Sequence, residues 1–244
     1  MSVKVRFLGT GNAFADGGRS HACIHVEATG ASLLLDCGGS SLPAIKKALD
    51  PATIQAIAIS HLHGDHFGGI PFFVMEQHFA ARTAPLAIGG PRELQQRSTR
   101  AGEALFKDFF GVITPEYGLS FVTLRESPVV LGGAEVSAHP VKHVAESDPH
   151  GLRVKVDGKL IAYSGDARWS EELVTLAKGA DLFICESTNF SKSDPAHLSY
   201  RELMANRGRL DCGRIILTHL GQETQAHLAE LELEPASDGM QVTL

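Results

Sequence analysis

The sequence lacks the features that mark secreted, disulfide-bonded or membrane proteins. Its four cysteines are far apart and include no CxxC pair: Cys23, Cys37, Cys185 and Cys212. They are therefore interpreted as buried thiols in a reducing compartment rather than as a disulfide framework. No run approaches the ~18 apolar residues of a membrane span, and the N-terminal segment lacks the apolar core of a signal peptide. We expect a cytoplasmic protein with no membrane association.

Positive charge is also scarce. The chain has 22 Lys and Arg against 28 Asp and Glu, which gives a formal net charge of -6. Such a surface does not attract polyanions as a whole, so contact with nucleic acid would need a local basic patch. No repeat, low-complexity segment or flexible linker divides the 244 residues. We therefore expect a single domain over residues 1–244.

Short apolar segments with strand periodicity recur along the chain, with helical segments between some of them. Strands are predicted at 3–8, 22–27, 32–35, 54–59, 86–88, 121–124, 129–131, 134–141, 151–156, 159–164, 182–185 and 214–218. Helices are predicted at 42–49, 92–110, 171–178 and 199–206, the last with a capping box at Ser199-x-x-Glu202. This order favours a layered α/β or α+β domain.

Four of six consecutive residues, His61-x-His63-x-Asp65-His66, can bind a metal ion. They directly follow the apolar strand 54–59, and a rigid strand can hold such a loop so that several ligands enter one cavity. Imidazole and carboxylate together suit zinc, with manganese or iron as alternatives. In an extended loop His61 and His63 point to one side, whereas Asp65 and His66 can turn toward a second ion.

Two ions need more than four ligands, and later strand ends supply candidates. His143 follows strand 134–141, Asp166 follows strand 159–164 after Gly165, and His219 follows strand 214–218. Each lies at the C-terminal end of an apolar strand, where α/β sheets place their functional sites. Asp36, in the turn before Cys37, is interpreted as structural.

These motifs, in this order, resemble the metallo-β-lactamase fold superfamily in its ribonuclease Z-like branch, and the resemblance covers the whole chain. It implies an α/β fold, a four-layered αβ/βα sandwich, with two divalent metal ions at one edge. It implies that one ion is bound by His61, His63 and His143, that the other is bound by Asp65, His66 and His219, and that Asp166 bridges them. The activity implied is that of a metal-dependent hydrolase.

The same resemblance implies roles in catalysis and association. Residues 185–188 (CEST) and 196–199 (AHLS) resemble the HEAT and HST segments of ribonuclease Z, with Cys185 in place of the first histidine. His197 would then be the general acid and Glu186 its support, while Asp65 would orient the attacking water. The alternative for His197, an ordinary loop histidine, stays open. A homodimer is also implied, and some of the apolar residues around the metal loop are expected at its interface: Leu62, Phe67, Ile70, Phe72 and Phe73.

The substrate class follows from what the chain omits. Ribonuclease Z carries a long arm that grips tRNA between the positions matching His143 and Asp166, but here that interval is only 23 residues. We therefore expect a small-molecule phosphodiester rather than long RNA. The segment LGTGNAF at 8–14, with Gly17-Gly18-Arg19, resembles cyclic-nucleotide phosphodiesterases of the anti-Pycsar type. The alternatives are a ribonuclease Z-like endoribonuclease and a carbonyl-ester or lactone hydrolase on the same metals.

Overall fold

A computed structural model describes residues 2–109 and 117–244, which form two seven-stranded sheets. The first sheet contains β1 (Lys4–Gly9), β2 (Cys23–Ala28), β3 (Ala31–Leu35), β4 (Ala56–Ala58), β5 (Leu86–Gly90), β6 (Leu119–Thr123) and β14 (Gln241–Thr243). The second contains β7 (Val129–Leu131), β8 (Ala134–Pro140), β9 (His150–Val156), β10 (Lys159–Tyr163), β11 (Ala180–Glu186), β12 (Cys212–Thr218) and β13 (Glu234–Pro235).

The two sheets have the same mixed pattern of pairing. Their strand orders are β14-β1-β2-β3-β4-β5-β6 and β13-β12-β11-β10-β9-β8-β7. In each sheet four strands are antiparallel, and the sheet continues with parallel strands from β3 to β6 or from β10 to β13. The strands predicted at 151–156 and 159–164 are β9 and β10, and their antiparallel pairing forms a hairpin around Asp157 and Gly158.

Helices cover the outer faces of the sheets. They are α1 (Ser41–Ala48), α2 (Gly64–Phe67), α3 (Ile70–Phe79), α4 (Leu94–Leu105), α5 (Glu171–Ala177), α6 (Tyr200–Asn206) and α7 (Gln222–Ala226). The capping prediction for α6 is confirmed at its start, where Ser199 Oγ accepts the Glu202 N–H at 3.3 Å. The helix predicted over 92–110 is α4, shorter at both ends than expected; Phe110 lies outside the described residues.

Strand alternation divides the apolar side chains among three buried layers. In β3, Leu33 and Leu35 face the second sheet, whereas Leu34 faces the helices. In β12, Ile216 faces the first sheet, and Leu217 packs with α5 and α6. Such strands are buried on both faces and read as continuous apolar runs. The four-layered αβ/βα sandwich is therefore confirmed. Within the described residues no helix combines the length and apolar character needed to cross a bilayer.

Candidate metal centre

The predicted ligands meet at one edge of the sandwich because four strands end there. The segment after β4 carries His61 and His63, the latter in extended backbone, and α2 then forms one helical turn that holds Asp65 and His66. The segments after β8, β10 and β12 add the other three: His143, Asp166 and His219. The helix that begins at Gly64 separates the first pair of ligands from the second; the sequence indicates an extended loop here and does not predict this helix.

One cluster contains His61, His63, His143 and Asp166, whose nearest ligand atoms all lie within 4.8 Å of one another. The Nδ1 atom of His63 lies 3.2 Å from Nε2 of His61 and 3.2 Å from Nε2 of His143. Oδ2 of Asp166 lies 3.8 Å from His61 Nε2 and 4.0 Å from His143 Nε2. Three imidazoles and a carboxylate oxygen thus surround one point, which is a donor set that suits zinc.

The second cluster contains Asp65, His66, Asp166 and His219. Oδ1 of Asp166, the oxygen not used in the first cluster, lies 3.2 Å from His66 Nε2 and 3.3 Å from His219 Nε2. Asp65 Oδ2 lies 3.2 Å from the same two nitrogens. Asp166 therefore presents one oxygen to each cluster, which is the arrangement expected of a bridging carboxylate.

The chemistry of these donors fits a cation. His66 Nδ1 lies 2.7 Å from Asp36 Oδ2, and an ionised carboxylate only accepts, so the imidazole proton belongs on Nδ1. The lone pair on His66 Nε2 then faces His219 Nε2 at 3.4 Å. Asp166 Oδ1 is buried, and none of the described residues donates a hydrogen bond to it. Buried acceptors that converge in this way are costly unless a cation lies among them.

The electrostatics of the cluster point the same way. Burial would raise the pKa of Asp166, but the surrounding imidazoles, led by His219, hold it well below the ordinary value. Burial would lower the pKa of His66, but the neighbouring carboxylates, led by Asp166, raise it well above the ordinary value. The field of these carboxylates thus favours positive charge at this place, carried by a proton on His66 Nε2 in the metal-free protein or by a cation that displaces that proton and uses the Nε2 lone pair.

Two residues that hold the ligands in place were not identified as functional from the sequence. Asp36, interpreted as a structural turn residue, orients His66 through the 2.7 Å contact with Nδ1. Thr188 Oγ1 lies 2.9 Å from His219 Nδ1 and donates to Glu186 Oε2 at 2.7 Å. Asp36 directly follows β3, so the strand-end rule that located the other ligands could have found it. Thr188 lies two residues beyond the end of β11, so the same rule could have found it too.

His197 and Glu186 lie together beside the second cluster. His197 Nδ1 donates to Glu186 Oε1 at 3.1 Å, and it lies 3.8 Å from Asp166 Oδ2. Burial would lower the pKa of His197, but the Glu186 carboxylate, with help from other acidic groups, raises it to about 9. His197 therefore carries a proton at neutral pH. These two residues also form a third group of potential metal ligands with His219.

An open cavity of about 410 Å³ leads to this side of the centre. His197 and His219 line this cavity, together with Phe14, Asn189 and Gln222 among others. The volume lies in the range of small-molecule sites.

Comparison with known proteins identifies the family to which the chain belongs. The profile of the family described as anti-Pycsar protein Apyc1 matches residues 3–233. A ribonuclease Z from Methanothermobacter thermautotrophicus is 29% identical, with 99% of this chain and 93% of the relative aligned. The alignment of 294 positions exceeds the length of this chain, so that relative carries insertions.

Solved structures agree on the fold. The metallo-β-lactamase fold protein YhfI from Bacillus subtilis superimposes with a TM-score of 0.79 over 100% of both chains, at 18% identity. A diphosphatase from the PhnP family superimposes with a TM-score of 0.76 over 98% of this chain and 97% of its own, also at 18% identity. From the profile match over nearly the whole sequence and from this fold, the chain belongs to the anti-Pycsar protein Apyc1 family, in the ribonuclease Z-like phosphodiesterase branch of the metallo-β-lactamase superfamily.

Proposed function

We propose that this protein is a binuclear metal-dependent phosphodiesterase that hydrolyses a small phosphodiester, with a cyclic nucleotide as the favoured substrate. The proposal rests mainly on the position of Asp166, whose two carboxylate oxygens each face a separate group of imidazoles. This arrangement supports two divalent ions, most simply zinc. Such a pair, when bound, polarises the phosphoryl oxygens and lowers the pKa of a water molecule.

The protein residues have distinct parts in this proposal. His61, His63 and His143 hold one ion, Asp65, His66 and His219 hold the other, and Asp166 joins both. Asp65 has a second part: its carboxylate, 7% exposed, orients the attacking water by accepting one of its protons in a hydrogen bond. Asp36 and Thr188 fix the ring orientation of His66 and His219.

His197 is the proposed proton donor to the leaving group. Its Nδ1 is occupied by Glu186, which leaves Nε2–H as the proton that can be delivered. Its side chain is 24% exposed and lines the cavity, so a bound ester oxygen can reach it. Glu186 is fully buried, and it keeps the imidazole charged and correctly turned.

A small substrate is favoured over RNA by the chain between His143 and Asp166. That interval holds only a short 3-10 turn and the tight hairpin of β9 and β10, so it offers no arm that could grip a folded RNA. The net charge of -6 gives no general attraction for a polyanion.

The direct test is turnover of the zinc- or manganese-loaded protein against a panel of substrates. The panel contains 3′,5′-cyclic nucleotides, a tRNA with a 3′ trailer and a lactone, and Asp166→Ala serves as the inactive control. We expect hydrolysis of a cyclic nucleotide that Asp166→Ala abolishes. Cleavage of the trailer or the lactone without turnover of any cyclic nucleotide would overturn the proposal.

The role of His197 has its own test. A general acid contributes about 10²–10⁴-fold, and most for a poor leaving group. We expect His197→Ala to lose that much activity on a cyclic nucleotide, whose leaving group is a ribose oxygen, and far less on bis-p-nitrophenyl phosphate, whose p-nitrophenolate departs unaided. Metal content and melting temperature should match the wild type. Equal losses on both substrates would make His197 a positioning residue, and loss of metal would make it a ligand.

A further inference from the structure

We infer that the ring of Phe14 is the surface on which the heterocyclic base of the substrate stacks. This inference rests on the proposed function and identifies a specificity-determining residue that lies outside the metal clusters. Phe14 is 85% exposed, the largest exposed fraction among the large hydrophobic side chains of the described residues. An isolated exposed apolar side chain is common, but this one lines the cavity that His197 and His219 also line.

The segment that carries Phe14 is held rigidly by its own polar groups. Asn12 Oδ1 accepts the N–H groups of Phe14 and Asp16, each at 3.2 Å. Asn12 Nδ2 donates to Asp16 Oδ2 at 2.8 Å, and the N–H of Ala15 bonds to the carbonyl of Asn12 at 3.0 Å. Hydrogen bonds before and after Phe14 therefore fix the backbone of this turn. An exposed ring on a fixed backbone loses little conformational freedom when a ligand stacks on it.

The same segment is attached to the turn that holds His219. The N–H of Leu220 donates to the carbonyl of Thr10 at 3.2 Å, and the N–H of Gln222 donates to Asp16 Oδ2 at 3.1 Å. The Gln225 amide adds a bond to the carbonyl of Asp16 at 3.0 Å. The position of the Phe14 backbone relative to the metal centre is thus set by several hydrogen bonds. A substrate whose phosphate lies at the centre meets the aromatic ring at a defined place.

The side chains that line the cavity favour a planar ligand with apolar faces and a polar edge. The ring offers an apolar face, while Gln222, which lines the same cavity, offers an amide donor and acceptor for the polar edge of a base. Stacking of a base on an aromatic side chain is worth ~5- to 150-fold in affinity when the side chain is truncated to alanine. Because every base has a π-face, the ring recognises the presence of a base more than its identity.

The test compares a 3′,5′-cyclic nucleotide with its abasic analogue, the 3′,5′-cyclic phosphate of methyl riboside. We expect Phe14→Ala to lower the ratio of kcat/KM for the nucleotide to that for the abasic analogue by ~5- to 150-fold, with the loss mainly in KM. Phe14→Trp should restore the ratio. Val130→Ala, which truncates another strongly exposed apolar side chain (79% exposed) far along the chain, is the matched control and should not alter it.

A binding measurement makes the inference independent of turnover. In Phe14→Trp the new indole should be quenched by adenosine 5′-monophosphate but not by ribose 5-phosphate. The wild type, whose single tryptophan is Trp169, should show neither response. A cyclic nucleotide that is not hydrolysed, with quenching present, would refute the proposed function but not base stacking. Absent quenching, an unchanged ratio in Phe14→Ala, or a change in oligomeric state on truncating Phe14 would overturn the inference.

Discussion

Asp36 makes more polar contacts than its place in a turn requires. Its carboxylate accepts the N–H of Ser60 at 2.7 Å, the hydroxyl of Ser60 at 2.8 Å, the hydroxyl of Tyr163 at 2.8 Å and Nδ1–H of His66 at 2.7 Å. It is fully buried, so an unpaired charge there would be costly. These four donors satisfy the carboxylate oxygens, and the hydrogen bond from Nδ1–H strengthens His66 as a ligand.

Replacing Asp36 by Asn should therefore weaken the metal centre without removing a ligand. We expect metal affinity to fall by about 10–100-fold, which is the usual effect of losing a group that orients a ligand. Competition with a chelator measures this directly. Tyr163→Phe is the matched control, because it removes one donor to the same oxygen but leaves the contact with His66 in place. An equal loss in both variants would mean that general packing, and not the orientation of His66, sets the affinity.

His25 lies far from the metal centre and is held neutral by its neighbours. Its Nδ1 accepts from Arg6 Nη1 at 3.1 Å, and its Nε2–H donates to Ser32 Oγ at 2.9 Å. A second proton would have to sit on Nδ1, against the guanidinium. Burial, followed by the charge of Arg6, lowers the pKa of His25 from 6.5 to about 4.

Stability should therefore fall as the pH drops between these two values. Above pH 6.5 the His25 side chain is neutral in the folded and the unfolded state, and its full contribution to stability is present. Below pH 6.5 the side chain binds a proton in the unfolded chain but stays neutral in the folded protein until the pH approaches 4. At pH 5 the cost is about 2 kcal/mol. Urea unfolding of metal-free wild type and His25→Gln at pH 7.5 and pH 5 measures it. The loss on acidification should be smaller in the variant by that amount, and identical losses would contradict the lowered pKa.

At the scale of the element, α3 has an apolar surface that the core does not fully cover. Of the five apolar residues expected around the metal loop, four are in the core: Leu62, Phe67, Ile70 and Phe73. Phe72 is only partly buried, and Phe79 at the end of the helix is 73% exposed. With Leu42 and Met75 they line an open groove between α1 and α3. Of the five residues expected around the metal loop, Phe72 is therefore the one whose side chain is still partly available to an interface.

We propose that this groove packs against a second copy of the chain. Apolar surface shared between two helices is typical of a two-fold interface, in which the same patch serves both subunits. Sedimentation at micromolar concentration should give the mass of a dimer for the wild type and of a monomer for Phe72→Glu with Phe79→Glu. Phe14→Glu, on another exposed aromatic, should remain dimeric. A monomeric wild type would sink the proposal.

At the scale of the molecule, the metal centre joins the two sheets. His61, His63, Asp65 and His66 follow a strand of the first sheet, and His143, Asp166 and His219 follow strands of the second. Ions bound between them should stabilise the folded sandwich, because an unfolded chain cannot gather these ligands.

We expect close to two ions per chain by elemental analysis, and a lower melting temperature after chelation. Asp166→Ala should weaken the binding of both ions, since each faces one of its oxygens. His63→Ala should mainly affect the ion of the first cluster, which makes it the informative comparison. A single ion in the metal-supplemented wild type, or loss of only one ion in Asp166→Ala, would contradict the binuclear arrangement.

Much of this architecture follows from local patterns. The apolar runs of β3, β10 and β12 are easily recognised because both faces of each strand are buried, and the ligands follow strand ends where a sheet edge gathers them. Elements without such patterns were not predicted. β14 has only three residues, and its pairing with β1 across the length of the chain has no local signature. Helix α3 is apolar from Ile70 to Met75 and polar from Glu76 to His78, so it has no amphipathic period from which to recognise a helix.

The amino-acid sequence by itself determined the ligand types, their order and the strands that carry them, because those depend on residue chemistry and short-range periodicity. Only the tertiary structure decided how Asp166 divides its oxygens, that Asp36 and Thr188 orient ligands, and that Phe14 shares a cavity with His197. These relations join residues distant in sequence, and Thr188 and His219 meet only because β11 and β12 lie side by side. Their distances depend on how two sheets pack, which no single segment encodes.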